Sequence, residues 1–140
     1  MAEASRRRRD HFPSSEEAYT HCRTRGLFAN FTPEALALYA GEGMRETEDG
    51  QVTLKCHRNV EAAIFDGGPA SASVGEVQAV TAQVLFVHAK RGNFQVDFYE
   101  EIAGRMANAK VVSRDVAHLF PLEEPDRVLE LVDEMLTADV

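Results

Sequence analysis

His118 is the residue of this chain placed where a base could act. It lies about five residues past the short apolar run Ala109-Lys110-Val111-Val112-Ser113, in a turn bounded by Pro121 and Pro125. A loop that leaves a strand can present a histidine while the sheet holds it against a nucleophile. A histidine in the same place can equally be a packed turn residue. The other candidates are weaker. No Gly-x-Ser-x-Gly occurs in the chain, so the strained turn that exposes a nucleophilic serine is not found. Cys56 and His57 are adjacent, and neighbours on a strand face opposite sides. Ser71 and Ser73 sit in the stretch "DGGPASASVG" with no positioned base. The five histidines, at 11, 21, 57, 88 and 118, show no ligand spacing, so no metal and no cofactor is expected.

Bulk properties narrow the classes. The chain has 140 residues, which suggests one domain at most. It is 44% hydrophobic and 27% charged, as a globular protein is. The formal net charge of −8 argues against nucleic acid as the main partner. Arg6-Arg7-Arg8-Arg9 is the local exception, and without interleaved aromatics it reads as the solvated basic end of a helix. No apolar run approaches the ~18 residues of a membrane span, and none follows the basic cluster as a secretory signal requires. Cys22 and Cys56, far apart and outside any CxxC, read as free thiols in a reducing, cytoplasmic setting.

The elements that would hold His118 come from pattern. Residues 1 to about 48 read as helical. Ser14 and Glu17 have capping-box spacing, Ala18, Tyr19 and Cys22 share a face, and Gly26 ends that helix. Thr32-Pro33-Glu34 starts a second helix that Gly41 and Gly43 close. Asp49-Gly50 marks a turn, Val52, Leu54 and Cys56 alternate as an extended segment, and "EAAIF" is a helical turn or two. From residue 79 the pattern is clearest. "QVLFVHA" reads as a buried strand, and Phe98, Ile102 and Met106 as the stripe of a helix on a sheet. "AKVVS" is a second strand, followed by Val128, Val132, Met135 and Leu136 on one face of a terminal helix. Strand, helix, strand, helix implies parallel strands. Two parallel strands do not stand alone, so the pattern is that of the last part of a larger α/β domain.

"VAHLFPLEEPDRVLELVDEML" resembles the end of an α/β-hydrolase-fold enzyme, in which a catalytic histidine follows the last strand and a Pro-Leu-Glu-x-Pro segment leads into the terminal helix. "VLFVHAKRGNF" is similar to the preceding strand of that fold. The stretch from Arg6 to Phe65 resembles the cap region of a subgroup, with its Phe-Pro-Ser, its helix ending in tyrosine, its "DG.V.LKC" and its Glu-Ala pair. The resemblance implies a partial α/β-hydrolase fold: a helical cap-like segment with linker over 1–70, then the last two parallel strands with their helices over 71–140. It implies His118 as general base, and Glu123 and Pro125 as shapers of the turn. It supplies no nucleophile. It also puts the acid in doubt: the family often places an aspartate after a glycine here, and this chain has Ala89-Lys90-Arg91-Gly92-Asn93. Asp97 and Asp115 are the nearest carboxylates in sequence.

The expectation is therefore the carboxyl-terminal part of a serine-type ester hydrolase, inactive as an isolated chain. A small-molecule substrate or ligand belongs to the full-length context, with no nucleic-acid and no membrane partner. Self-association through an exposed apolar sheet edge is also expected. Two rivals stand beside it: a non-catalytic binding or interaction module of the same fold, and a complete enzyme with an unfamiliar site.

Overall fold

The computed structural model describes residues 1–67 and 76–137. Most of "DGGPASASVG", with Ser71 and Ser73, lies outside the described residues. The chain divides into two compact units, Met1–Pro69 and Ala70–Val140.

The first unit mixes helices with a small sheet. Helix α1 (Ala2–Arg6) is followed by strand β1 (His11–Phe12), helix α2 (Ser15–Arg23), a 3-10 turn (Gly26–Phe28) and helix α3 (Pro33–Glu42). Strands β2 (Met44–Glu46) and β3 (Val52–Leu54) and helix α4 (Arg58–Gly67) complete it. Both expected helix starts are present. Ser14 accepts a hydrogen bond from the Glu17 N–H and Thr32 from the Ala35 N–H, so each satisfies an amide the helix leaves unpaired. Helix α2 stops at Thr24, two residues before Gly26, which instead opens the 3-10 turn. Between β2 and β3 the chain reverses through Thr47–Gly50, and Gly50 takes φ 76°, a conformation glycine adopts without steric cost.

The reading of residues 1 to 48 as purely helical is corrected. Strands β1 and β2 flank β3 in an antiparallel sheet of order β1-β3-β2, with Phe12 opposite Val52 and Met44 opposite Leu54. Phe12, Ala18, Met44, Val52 and Leu54 form one buried cluster, and Cys22, Phe28 and Leu36 another. The arginine run is not a free patch either. Arg8 reaches both oxygens of Glu61 at 2.8 Å and also the Tyr39 hydroxyl. Arg6 pairs with Asp66, Arg7 with Glu3, and Arg9 lies over the Phe12 ring. The Arg6–Asp66 and Arg8–Glu61 pairs tie α1 and the residues just after it to α4.

Asp10 is the other tie in this unit. Its side chain is largely buried, takes a hydrogen bond from His11 Nδ1 at 3.0 Å, and lies 3.4 Å from His57 Nε2 and 3.2 Å from Arg58 Nε. The Arg58 contact pairs charges at an angle that makes no hydrogen bond. The His11 bond, and then the Arg58 charge, hold the Asp10 carboxyl below its ordinary value against the opposing effect of burial. A lowered carboxylate stabilises the fold above its unfolded pKa, and that contribution is lost as pH falls through the lowered value. Asp10→Ala should therefore cost about 1–3 kcal/mol at neutral pH, because it removes a carboxylate that accepts a charge-assisted hydrogen bond from His11 and faces the Arg58 charge. The deficit should shrink as pH drops below 3.8, the ordinary value of this carboxyl. Urea midpoints of both proteins at neutral and acid pH check this; a deficit that persists unchanged in acid would refute it.

The second unit is the strand–helix repeat. It contains a 3-10 turn (Val77–Ala79), β4 (Val84–Ala89), α5 (Val96–Ala103), β5 (Ala109–Arg114), α6 (Phe120–Glu123) and α7 (Pro125–Thr137). Strands β4 and β5 pair in parallel, in register from Val84 with Ala109 to Ala89 with Arg114. Side chains alternate across the sheet. Phe86 and His88 face α5 through Tyr99, while Leu85, Val87 and Ala89 join Val116, Phe120 and Leu131 in the core.

Three sequence expectations change here. β4 is not fully buried: among its residues only Ala89 is, because a two-stranded sheet leaves an edge and much of its faces to solvent. Helix α5 ends before Met106 and meets the sheet through Tyr99, whereas Phe98 is 40% exposed and stacks on Phe94. The packed face of α7 is Val128 and Leu131, not Val132 and Leu136, which stay exposed with Leu129.

Candidate functional site

His118 is carried by the turn that follows the carboxyl end of β5. Val116 and Phe120, two positions either side, are sunk in the core and anchor the turn, while His118 between them is exposed. The turn is closed by Phe120 N–H on the Ala117 carbonyl and by Leu122 and Glu123 N–H on the Leu119 carbonyl.

A second loop braces this turn. Beyond β4 the ladder runs on, with Lys90 N–H on the Arg114 carbonyl at 2.9 Å and Arg91 N–H on the Val116 carbonyl at 3.1 Å. The Arg91 guanidinium then spans the histidine turn. It donates to the Asp115 and Glu124 oxygens at 3.1 Å, with its Nε 3.3 Å from the Asp115 carboxylate. These groups are exposed, so each ion pair adds little stability, but together they fix both ends of the segment holding His118.

The His118 ring itself is exposed. The Phe94 ring lies 5.3 Å away, tilted by 52°. Among the described residues no carboxylate, hydroxyl or thiol hydrogen-bonds the imidazole. Asp115 pairs with Arg91 and Asp97 lies in the first turn of α5. Gly92 of the bracing loop also lies beside the base. A Cβ built there would stand 3.6 Å from the His118 Cβ but only 2.9 Å from the Ala89 carbonyl oxygen. Glycine thus occupies the place beside the base from which a carboxylate could reach it.

The remaining candidates separate from His118. Cys22 is buried, and burial pushes its thiol up, away from the reactive thiolate. Cys56 is exposed, and His57 is engaged with Asp10. Among the described residues no group of three or more histidine, cysteine or acidic side chains is arranged to hold a metal ion, and no helix is long and apolar enough to cross a membrane. A groove of about 380 Å³ is lined by Gln83, Val84, Lys110, Glu134 and Met135. It opens at the amino ends of the strands. Open α/β sheets bind ligands beyond their carboxyl ends, where His118 stands.

Sequence reasoning passed over His88. It faces Ser113 across the parallel register, with Nδ1 2.9 Å from the hydroxyl oxygen, and its Nε2 donates to the Phe94 carbonyl at 3.2 Å. The signal was present in the alternation of "VLFVHA", which puts His88 on the face opposite the core.

No family model matches the chain, and no curated protein matches it. Solved structures do. The peroxisomal alpha-beta-hydrolase Lpx1 of Saccharomyces cerevisiae superposes with a TM-score of 0.75 at 18% identity, over 96% of this chain and 38% of its own. The esterase Rv0045c of Mycobacterium tuberculosis gives 0.62 at 15% identity, over 96% of this chain and 46% of its own. E-2-(acetamidomethylene)succinate hydrolase gives 0.62 at 16% identity, over 89% and 46%. The chain spans less than half the length of each of these structures. With its parallel β4–β5 pair and its helices matched over nearly all of its residues, the chain carries part of the α/β-hydrolase fold.

Proposed function

We propose that these residues are the cap and carboxyl-terminal part of an ester hydrolase, in which His118 is the general base. The observation that carries the reading is the place of His118: exposed, beyond the carboxyl end of β5, on a turn braced from both sides by Arg91. The esterase among the similar structures supports the ester as substrate class. A neutral imidazole there would take the proton of a hydroxyl nucleophile and return it to the leaving group, then activate water in the same way. That hydroxyl and its oxyanion-stabilising amides would come from residues other than these 140. Alone, the 140 residues should show no His118-dependent turnover, since nucleophile activation and oxyanion stabilisation each supply about 3 kcal/mol or more. Two measurements test the reading. Sequencing the transcript upstream should reveal, in frame, a strand, Gly-x-Ser-x-Gly and a helix. The protein so encoded should hydrolyse an activated ester. Turnover by the 140 residues alone, lost in His118→Ala, would instead mark a complete enzyme.

A second reading is favoured by the apolar surface of the second unit. Leu129, Val132 and Leu136 lie exposed along α7, and β4 pairs on one side only among the described residues. Such surface marks interaction sites or association hazards. As a non-catalytic module, the chain would bind a partner or a second copy there. The 140-residue chain is expected to self-associate with concentration, and Leu129→Glu with Val132→Glu should shift it toward monomer in light scattering. A wild-type monomer at all concentrations would rule out the second copy as the occupant.

A further inference from the structure

We propose that His88 is a positioning residue for His118 and acts through Phe94. The functional weight of this rests on His118 being the base; the geometry is testable without it. The His88 ring is held at both nitrogens. The Phe94 carbonyl can only accept, so Nε2 carries the hydrogen in that 3.2 Å contact. In the neutral ring Nδ1 is then the acceptor, and the Ser113 hydroxyl donates to it at 2.9 Å. Ser113 belongs to β5, so the histidine ties the loop after β4 to the neighbouring strand.

The loop so tied carries Phe94, whose ring lies 5.3 Å from the His118 ring. Burial alone does not hold that ring in place, because Phe94 is 46% exposed. Its position is set by its neighbours: Phe98 stacked at 5.9 Å, Tyr99 edge-on at 6.4 Å, and His88 bonded to its carbonyl. Tyr99 also touches the His88 ring, at 5.7 Å, so the same tyrosine supports both ends of the link. Ser113, His88, Phe94 and His118 thus form one contiguous chain of contacts from the sheet to the base. Protonating His88 would not break it, since the Ser113 oxygen can accept as well as donate.

Nuclear magnetic resonance of the 140-residue chain labelled at histidine tests this. In the wild-type protein the neutral His88 ring should be the Nε2–H tautomer. Phe94→Leu should move the His118 ring resonances by removing the ring current of Phe94. His88→Leu should move them in the same direction, and the double variant no further. Both single variants should also speed modification of His118 by diethyl pyrocarbonate severalfold. His88→Gln, which keeps an N–H near the Nε2 place, should restore most of the wild-type signature. An Nδ1–H tautomer, or a His88→Leu spectrum in which His118 is unmoved while Phe94→Leu moves it, overturns the proposal. The tautomer needs no variant, so it decides even if His88→Leu does not fold. None of these readouts uses turnover, so a failure of the base assignment appears separately, as unchanged hydrolysis in His118→Ala.

Discussion

His118→Ala is expected to remove hydrolysis while leaving the fold as it is. The side chain is exposed, and among the described residues its ring makes no hydrogen bond, so its loss should change stability by no more than about 0.5 kcal/mol. Its catalytic effect should be far larger. A positioned base contributes about 10²–10⁴ to a proton-transfer step, which is roughly 3–5 kcal/mol of barrier at 1.36 kcal/mol per tenfold. In the protein that also carries the nucleophile, kcat should fall by that factor and KM should hardly move, because a base makes its contact in the transition state. Thermal melting and ester kinetics on the same preparations separate the outcomes. A large drop in melting temperature would make His118 a structural turn residue. Intact turnover would remove it from the chemistry.

Phe12→Ala should have the largest effect on stability. Phe12 is 2% exposed and sits among Ala18, Met44, Val52 and Leu54, with the His21 ring at 5.3 Å and Arg9 over its face. Truncating a buried phenylalanine costs about 3–5 kcal/mol in lost transfer energy and residual cavity. A core from roughly 70 residues seldom supplies more than about 3–5 kcal/mol in all. The first unit should therefore lose its cooperative structure. Amide signals of residues in β1, β2 and β3 should collapse in the variant, while those of β4 and β5 in the second unit persist. Phe12→Leu, which keeps most of the volume, should retain the sheet. A Phe12→Ala protein with wild-type amide protection throughout the first unit would contradict the assignment of this core.

Much of the architecture can be read from local chemistry, and the misses have physical reasons. Ser14 and Thr32-Pro33 mark helix starts because the cap is a contact between near neighbours. The parallel β4–β5 pair follows from two apolar runs separated by a helix-length segment. Strands β1 and β2, two and three residues long, carry too few positions to show alternation; they exist because β3 offers both edges to them. On α5 and α7 the periodic residues outnumber the places a two-stranded sheet can cover. Tyr99 and Leu131 therefore take the packed positions, while Phe98, Val132 and Leu136 are left out. At the site, His118 is visible from its place after a strand. The Arg91 brace and the His88–Ser113 contact span 24 to 33 residues and depend on strand register, which no local pattern encodes.

Gly92 sets a condition on anyone who would redesign this centre. With the Ala89 oxygen 2.9 Å from where a side chain would begin, an aspartate at position 92 requires the backbone to shift. A library randomised at that position alone would return glycine. One that also lengthens the segment between Ala89 and Phe94 by a residue would open a route to an orienting acid.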